Sequence, residues 1–378
     1  MVTVTSRLSN ARRIVAKIGS GLVVNTVSGK LRSQWLDSLV KDVARCRNRD
    51  QDVVLVSSGA IALGRSALGL PPGPLKLETY QAAAAAGQSR LAYAYAEALE
   101  KHGIDAAQVL LTGDDTESRR RYLNASNTMA TLLQLGAVPV INENDTVTTE
   151  EIRFGDNDRL AARVAQMVSA DVLALLSDVN GLYTSDPAKG DGGELVREVA
   201  AITPEIEAMA GWARTDHGSG GMVTKISAAR IANSAGCAVV LSKGSVNAPL
   251  EAVENGADCT WFLPTDTPRT ARKNWIAGGL TTQGALILDD GAVQALNSGK
   301  SLLPAGVGAV EGAFQRGDAV ILKNSAGAEI GRGLCAYSLD DAQRILGHKS
   351  GEFEALLGYR GRDEMIHRDD LVLTEEGK

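Results

Sequence analysis

The fold is decided at Ile14-Val15-Ala16-Lys17-Ile18-Gly19-Ser20-Gly21. Its first five residues, apolar but for Lys17, read as a strand of the kind buried on both faces. That strand runs into a turn with a lysine before it and two glycines within it. Glycines let backbone N–H groups approach an anion closely, and Lys17 adds positive charge at the strand end. The turn is not a Walker loop, because no Gly-Lys-Ser/Thr closes it. Nor is it a Gly-x-Gly-x-x-Gly fingerprint, because residue 24 is Val. Taken alone, it reads equally well as a tight strand-to-loop turn with a solvated lysine.

The same unit recurs along the chain. Residues 53–57, 109–111, 138–142, 172–176, 238–242 and 259–263 are short apolar runs with strand character. Residues 34–45, 78–101, 119–135, 158–168, 222–235 and 248–255 have helical periodicity, with Gly87 a weak point in the second of these. The Ala-rich run 82–86 is plain helix propensity. Strands alternating with helices imply an α/β fold, a mostly parallel sheet sandwiched by helices. Ligands of such sheets bind at the carboxyl ends of strands. The texture changes at Leu263-Pro264-Thr265-Asp266-Thr267-Pro268, which reads as a linker. Short β-like segments at 286–288, 307–310, 319–322 and 330–336 follow, separated by Gly and Asp turns. The expected division is a catalytic domain over 1–268 and a small β-rich domain over 275–378.

Composition sets the limits. The 378 residues are 44% hydrophobic and 22% charged, which excludes wholesale disorder and collagen. Aromatics are only 4%, so the core must be built from Ala, Val, Leu and Ile. With 39 Lys+Arg against 45 Asp+Glu, the net charge of −6 gives no global attraction for nucleic acid or anionic membrane. Cys46, Cys237, Cys259 and Cys335 are scattered with no Cys-x-x-Cys pair, as expected of reduced thiols. No apolar run approaches the roughly 18 residues that span a bilayer. Arg7, Arg12 and Arg13 precede no long apolar stretch, so a cytoplasmic location is expected.

Four further loops carry candidate chemistry. Ser57-Ser58-Gly59-Ala60 ends a strand, and its hydroxyls suit a carboxylate or phosphate, or an N-cap. In Asn142-Glu143-Asn144-Asp145 and Gly155-Asp156-Asn157-Asp158, seven of eight residues are amides or carboxylates. One such residue suffices to cap a helix, so the surplus suggests a polar cage. Its carboxylates suit an ammonium, and Asn157 is able to donate to a carboxylate. Ser177 and Asp178 follow a strand where a nucleotide pocket would lie. Most informative is His217-Gly218-Ser219-Gly220-Gly221-Met222-Val223-Thr224-Lys225, a glycine-rich turn opening a helix. Free N–H groups there form an anion site. Lys225 opposes the helix dipole unless a phosphate lies in front of the turn.

Taken in order, these loops resemble the amino-acid kinase superfamily. The resemblance rests on Val15-Ala16-Lys17-Ile18-Gly19-Ser20, Val56-Ser57-Ser58-Gly59-Ala60-Ile61, Ala86-Gly87-Gln88-Ser89 and Pro139-Val140-Ile141-Asn142-Glu143-Asn144-Asp145. It continues through Phe154-Gly155-Asp156-Asn157-Asp158, Gly181-Leu182-Tyr183-Thr184-Ser185-Asp186-Pro187 and Gly218-Ser219-Gly220-Gly221-Met222-Val223-Thr224-Lys225. Arg272-Lys273-Asn274-Trp275-Ile276 and Ser301-Leu302-Leu303-Pro304-Ala305-Gly306 are similar to a C-terminal PUA domain. The departures are small: Ser20 and Ser177 stand where Thr is common, and Val223 where Ser is common.

The resemblance implies transfer of the γ-phosphoryl group of ATP to the side-chain carboxylate of L-glutamate, the first step of proline biosynthesis. By the same similarity Lys17 and Lys225 neutralise the transferring group, and Asp158 orients them. The same two lysines, with Ser177, Asp178, Ser219, Gly220, Gly221, Met222, Val223 and Thr224, hold the ATP, and Mg²⁺ is expected on its phosphate oxygens rather than on protein ligands. Ser58, Asp145 and Asn157 hold glutamate. Proline as feedback inhibitor, glutamyl-phosphate reductase as partner, and a homo-oligomer are further expectations. Other kinases of this superfamily act on aspartate, N-acetylglutamate, carbamate or nucleoside monophosphates. The PUA-like tail and the 142–145 loop argue against these. PUA domains elsewhere bind RNA, but residues 273–378 hold 11 Lys+Arg and 15 Asp+Glu, a net of −4, which disfavours it.

Overall fold

The computed structural model describes residues 6–25, 27–147, 157–185, 193–210, 221–278 and 280–374. The chain forms two compact units, one ending at Pro268 and the other starting at Arg269.

The strands of the first unit are, in chain order, β1 (Arg13–Ile18), β2 (Asp52–Ser57), β3 (Ala106–Leu111), β4 (Val138–Glu143) and β5 (Val172–Ser177), then β6 (Leu182–Tyr183), β7 (Leu195–Val196), β8 (Glu198–Val199), β9 (Ala238–Lys243) and β10 (Cys259–Phe262). Among the described residues, eight of them form one sheet in the order β3-β4-β2-β1-β5-β9-β10-β8, and β6 and β7 pair by themselves. Pairings within the large sheet are parallel except β9 with β10. The strands fall within a few residues of the apolar runs. The two-residue strands β6, β7 and β8 were not expected, because two residues carry no periodicity.

Helices α1 (Ser33–Arg47), α2 (Ala60–Ala67), α3 (Leu77–Glu100), α4 (Arg119–Gln134), α5 (Asn157–Met167), α6 (Met222–Ser234) and α7 (Pro249–Glu254) cover both faces. Strand alternation assigns each residue to a side. Ile14, Ala16 and Ile18 join one core with residues of α1, α2, α3 and α7, whereas Val15 joins the other with residues of α4, α5 and α6. The same two-residue period divides Val53 and Leu55 from Val54 and Val56, and Val172, Ala174 and Leu176 from Leu173 and Leu175. Lys17 therefore sits on the side of α5 and α6. Ser57 and Asn142, in step with Leu55 and Val140, sit on the side of α3.

Gly87 is not a weak point. Helix α3 runs unbroken across it, and its missing side chain is what lets α3 touch α2. A Cβ at Gly87 would lie 1.7 Å from the Ala60 carbonyl oxygen, and one at Gly64 would lie 1.7 Å from that of Ala83. Two helices in backbone contact form a rigid plate behind the β2 exit loop.

The second unit is a five-stranded sheet, β11 (Thr282–Leu288), β12 (Val307–Gly312), β13 (Ala319–Lys323), β14 (Glu329–Leu334) and β15 (Leu371–Leu373), in the order β12-β11-β13-β14-β15. Only β11 and β13 run parallel. Leu286, Leu322, Phe314, Phe353 and Tyr337 fill its core. Helix Pro268–Gly278 runs on from the Pro-rich stretch read as a linker. Among the described residues, no helix is long and apolar enough to cross a membrane.

Candidate active site

Strand β1 lies between β2 and β5, with Lys17 beside Val56 and Leu175. The chain winds one way from β1 to β2 and the other way to β5, so the carboxyl end of β1 is a topological switch point. Two clusters of polar residues meet there, one from each face of the sheet.

The first cluster is cationic. Lys17 Nζ lies 2.6 Å from Asp158 Oδ1, and Lys225 Nζ lies 3.4 Å from Asp158 Oδ2. Thr224 donates to the same Oδ2 at 2.9 Å. Asp158 is 1% exposed, Lys225 5% and Lys17 9%. Burial opposes ionisation of Asp158, but the charges of Lys17 and Lys225 outweigh it, and its carboxyl is held below its usual value. Two lysines share one buried carboxylate. Asp158 is the second residue of α5, one turn or less from its start, and it is spent on the lysines rather than on capping.

Helix α6 points its first residues at this cluster. Gly221 is its N-cap, without a side-chain capping bond, and its first turn carries no acidic residue. Thr224 also donates to the Gly221 carbonyl at 2.8 Å, which braces the first turn. The N–H groups of a 13-residue helix thus open beside two lysines, a combination that suits phosphate. Met222 is buried there and Val223 is exposed. Ser219 and Gly220, also expected in this site, lie outside the described residues. Ser177 ends β5 on the same face as Lys17, and its hydroxyl donates to Asp178 at 2.8 Å.

The second cluster is an amide cage. Asn157 precedes Asp158 and reaches across to the other face. Its Nδ2 donates to Ser58 Oγ at 2.6 Å and to Asn142 Oδ1 at 3.0 Å. Asn142 in turn donates to Gln88 Oε1, on α3, at 2.8 Å. In this orientation both N–H groups of Asn157 bond within the cage. Its Oδ1 is buried and has no donor among the described residues. Ser58 does not cap α2; the N-cap is Gly59, at φ 117, with no side-chain bond. Accepting from Asn157 leaves the Ser58 hydroxyl proton for another acceptor. Asp145, three residues beyond Asn142, is half-buried, and burial pushes its carboxyl up to about 6.

The sequence places Asn142 in a polar cage without a partner and assigns no role to Gln88 or Tyr95. Gln88 and Asn142 stood in quoted motifs, which was the available signal. Tyr95, two turns beyond Gln88 on α3, donates to Ser57 Oγ at 2.9 Å and braces the β2 exit. Among the described residues no group of three or more His, Cys, Asp and Glu is placed to hold a metal ion. The four cysteines are buried and unpaired, and burial raises each thiol, Cys335 to about 12.

A parallel sheet with a helix N-terminus and paired lysines at its switch point suits the handling of phosphate, and the chain belongs to the amino acid kinase family, whose sequence pattern matches residues 12–242. The PUA domain pattern matches residues 284–357. More particularly, the chain is 60% identical over 368 residues to a glutamate 5-kinase of Paramagnetospirillum magneticum, covering 97% of this chain and 99% of that protein. It is 57% identical to a glutamate 5-kinase of Rhodospirillum rubrum, over 94% of this chain and 95% of that one. Among solved structures, a carbamate kinase from Giardia lamblia bound to AMP-PNP aligns with a TM-score of 0.47 at 16% identity, over 68% of this chain and 99% of that one.

Proposed function

We propose that this protein transfers the γ-phosphoryl group of ATP to the side-chain carboxylate of L-glutamate, giving glutamyl 5-phosphate for proline biosynthesis. The observation that carries the reading is the pair of clusters on either side of Asn157-Asp158. One offers cations and amide N–H groups to phosphates, and the other offers acceptors to an amino acid. The near full-length likeness to glutamate 5-kinases supports the same acceptor.

The chemistry asks little of acid–base groups. A glutamate side chain is already ionised at neutral pH, its reference pKa being about 4.3. The remaining work is alignment and neutralisation of charge on the transferring group. Lys17 and Lys225 do the second, and Asp158 fixes both ammonium groups. The opening turn of α6 and the Ser177-Asp178 corner hold the nucleotide. Mg²⁺ would be carried on the phosphate oxygens, where it supplies further charge neutralisation. Ser58, Asp145 and Asn157 hold glutamate. Proline shares the α-amino and α-carboxylate groups of glutamate, so the same cage would take it as a competitive inhibitor.

The direct test is a hydroxylamine trap. With ATP, Mg²⁺ and hydroxylamine, L-glutamate is expected to give a hydroxamate at a rate well above aspartate or N-acetylglutamate. Equal or faster turnover of either competitor would sink the assignment.

A pH dependence follows from Asp145. Only its carboxylate form attracts the substrate ammonium. With the carboxyl at about 6, that form dominates at pH 7 and is scarce at pH 5. The sign is therefore a loss of glutamate affinity on acidification, about tenfold in kcat/KM between pH 7 and pH 5, with kcat at saturating glutamate nearly level. Asp145→Asn should raise KM and flatten the profile. A profile unchanged by that substitution would assign the titration to another group.

A further inference from the structure

Strand β9 leaves the sheet beside the Ser177-Asp178 corner. Its last residue, Lys243, pairs with Ser177, the last residue of β5. Val239 and Leu241 belong to the core shared with α5 and α6, and Val240 to the other core, so the two-residue period puts Lys243 on the side of α5 and α6. Lys17, Ser177 and Lys243 therefore stand on one side of the sheet, at the carboxyl ends of three adjacent strands. Lys243 is exposed, and among the described residues its ammonium has no hydrogen bond or ion pair. The backbone beside it is held from two directions. Gly244 donates its N–H to the Ser177 carbonyl at 2.6 Å, and its own carbonyl accepts from Trp35 Nε1, on α1, at 2.7 Å. A Cβ at Gly244 would lie 2.4 Å from Leu22 Cδ1 and 2.9 Å from Leu176 Cβ, so glycine is what lets the strand exit pack this closely. The lysine thus grows from a fixed point, one strand spacing of about 4.8 Å from Ser177 and about 10 Å from β1.

We propose that Lys243 binds the phosphates that stay with the nucleotide, the α- and β-phosphates common to ATP and ADP, and sets nucleotide affinity rather than rate. The proposal rests on the nucleotide reading of this corner given above. Lys17 and Lys225 face the transferring γ-phosphoryl group, and β9 lies two strands further along the sheet edge than β1. A triphosphate running from the two lysines past Ser177 brings its inner phosphates to β9. A cation there meets nearly the same charge before and during transfer, so it contributes uniform binding and leaves the barrier unchanged. Because its base is already fixed by Gly244, only the side chain has to be ordered when the nucleotide arrives.

Lys243→Ala, Lys243→Glu and Lys243→Arg separate this role from that of a solvated surface charge. Lys41→Glu, at an exposed lysine of α1 on the other side of the sheet, is the control for net charge. The readouts are Kd for ADP with Mg²⁺ by calorimetry, and KM for ATP and kcat by hydroxamate formation, with folding checked by circular dichroism. Loss of one exposed charge contact predicts Kd for ADP and KM for ATP about fivefold higher in Lys243→Ala. Lys243→Glu turns attraction into repulsion and should raise both by about tenfold or more, whereas Lys243→Arg should stay within about twofold of wild type. In all three, kcat should stay within about twofold. The differences should shrink at about 1 M salt, where the screening length is about 3 Å. An unchanged Kd for ADP in both the Ala and Glu variants overturns the role of Lys243. So does an equal loss in Lys41→Glu, or a fall in kcat larger than the rise in KM, which would put Lys243 on the transferred group. ADP binding is read without turnover, so a wild-type protein that binds ADP but makes no hydroxamate from glutamate overturns the acceptor reading alone, and the Kd comparison still decides Lys243. A wild-type protein that binds no ADP overturns the nucleotide reading, and this proposal with it.

Discussion

Lys225→Ala is expected to lower kcat by about 10²- to 10³-fold while changing KM for glutamate little. The lysine is 5% exposed, so its charge acts in a medium that screens it weakly. It shares Asp158 with Lys17 and therefore has a fixed position before any phosphate arrives. Charge developing on the transferring group meets an electrostatic environment that needs no rearrangement. The proposed glutamate site is the cage on the other face of the sheet. Steady-state kinetics with the hydroxamate assay gives both constants. A kcat within about threefold of wild type would remove Lys225 from phosphoryl transfer, and an equal rise in KM would mean uniform binding instead.

Gly87→Ala is expected to destabilise the first unit by about 3 kcal/mol or more, against the usual direction for this exchange. In an ordinary helix interior alanine is favoured over glycine by about 1 kcal/mol. Here the new Cβ would lie 1.7 Å from the Ala60 carbonyl oxygen and 2.6 Å from the Gly64 amide nitrogen. Both are backbone atoms of a neighbouring helix, so no rotamer change relieves the clash. Moving α3 away would pull Gln88 and Tyr95 from the cage and from the β2 exit. Urea unfolding followed by circular dichroism measures the loss, with Gly21→Ala as the control, since a Cβ there meets nothing within 4 Å. Gly87→Ala as stable as wild type would refute the backbone contact.

The sequence announced the strands because a parallel sheet covered on both faces writes itself as unbroken apolar runs, such as Val53 to Val56. The glycine-rich turns pointed to places suited to anions. They did not say which residues converge. Lys17, Asp158 and Lys225 are far apart in the chain, and only the family resemblance selected them together. The amide chain was less legible still. Its existence depends on α3 docking on α2 through Gly64 and Gly87, a contact between two segments whose local pattern says only helix. For the same reason Gly87 read as a flaw in α3.

Strand alternation has a consequence for how such an enzyme diversifies. In the reading proposed above, the groups that handle phosphate hang from one side of the sheet, and those that choose the acceptor acid hang mainly from the other, with Asn157 and Asp158 as adjacent residues joining the two. Mutations that accumulate on α3 or the β4 exit can change which acid is accepted while the transfer apparatus is inherited intact. A change of acceptor by small steps would have to keep the Asn157-Asp158 junction, which serves both sides, as well as Lys17 and Lys225.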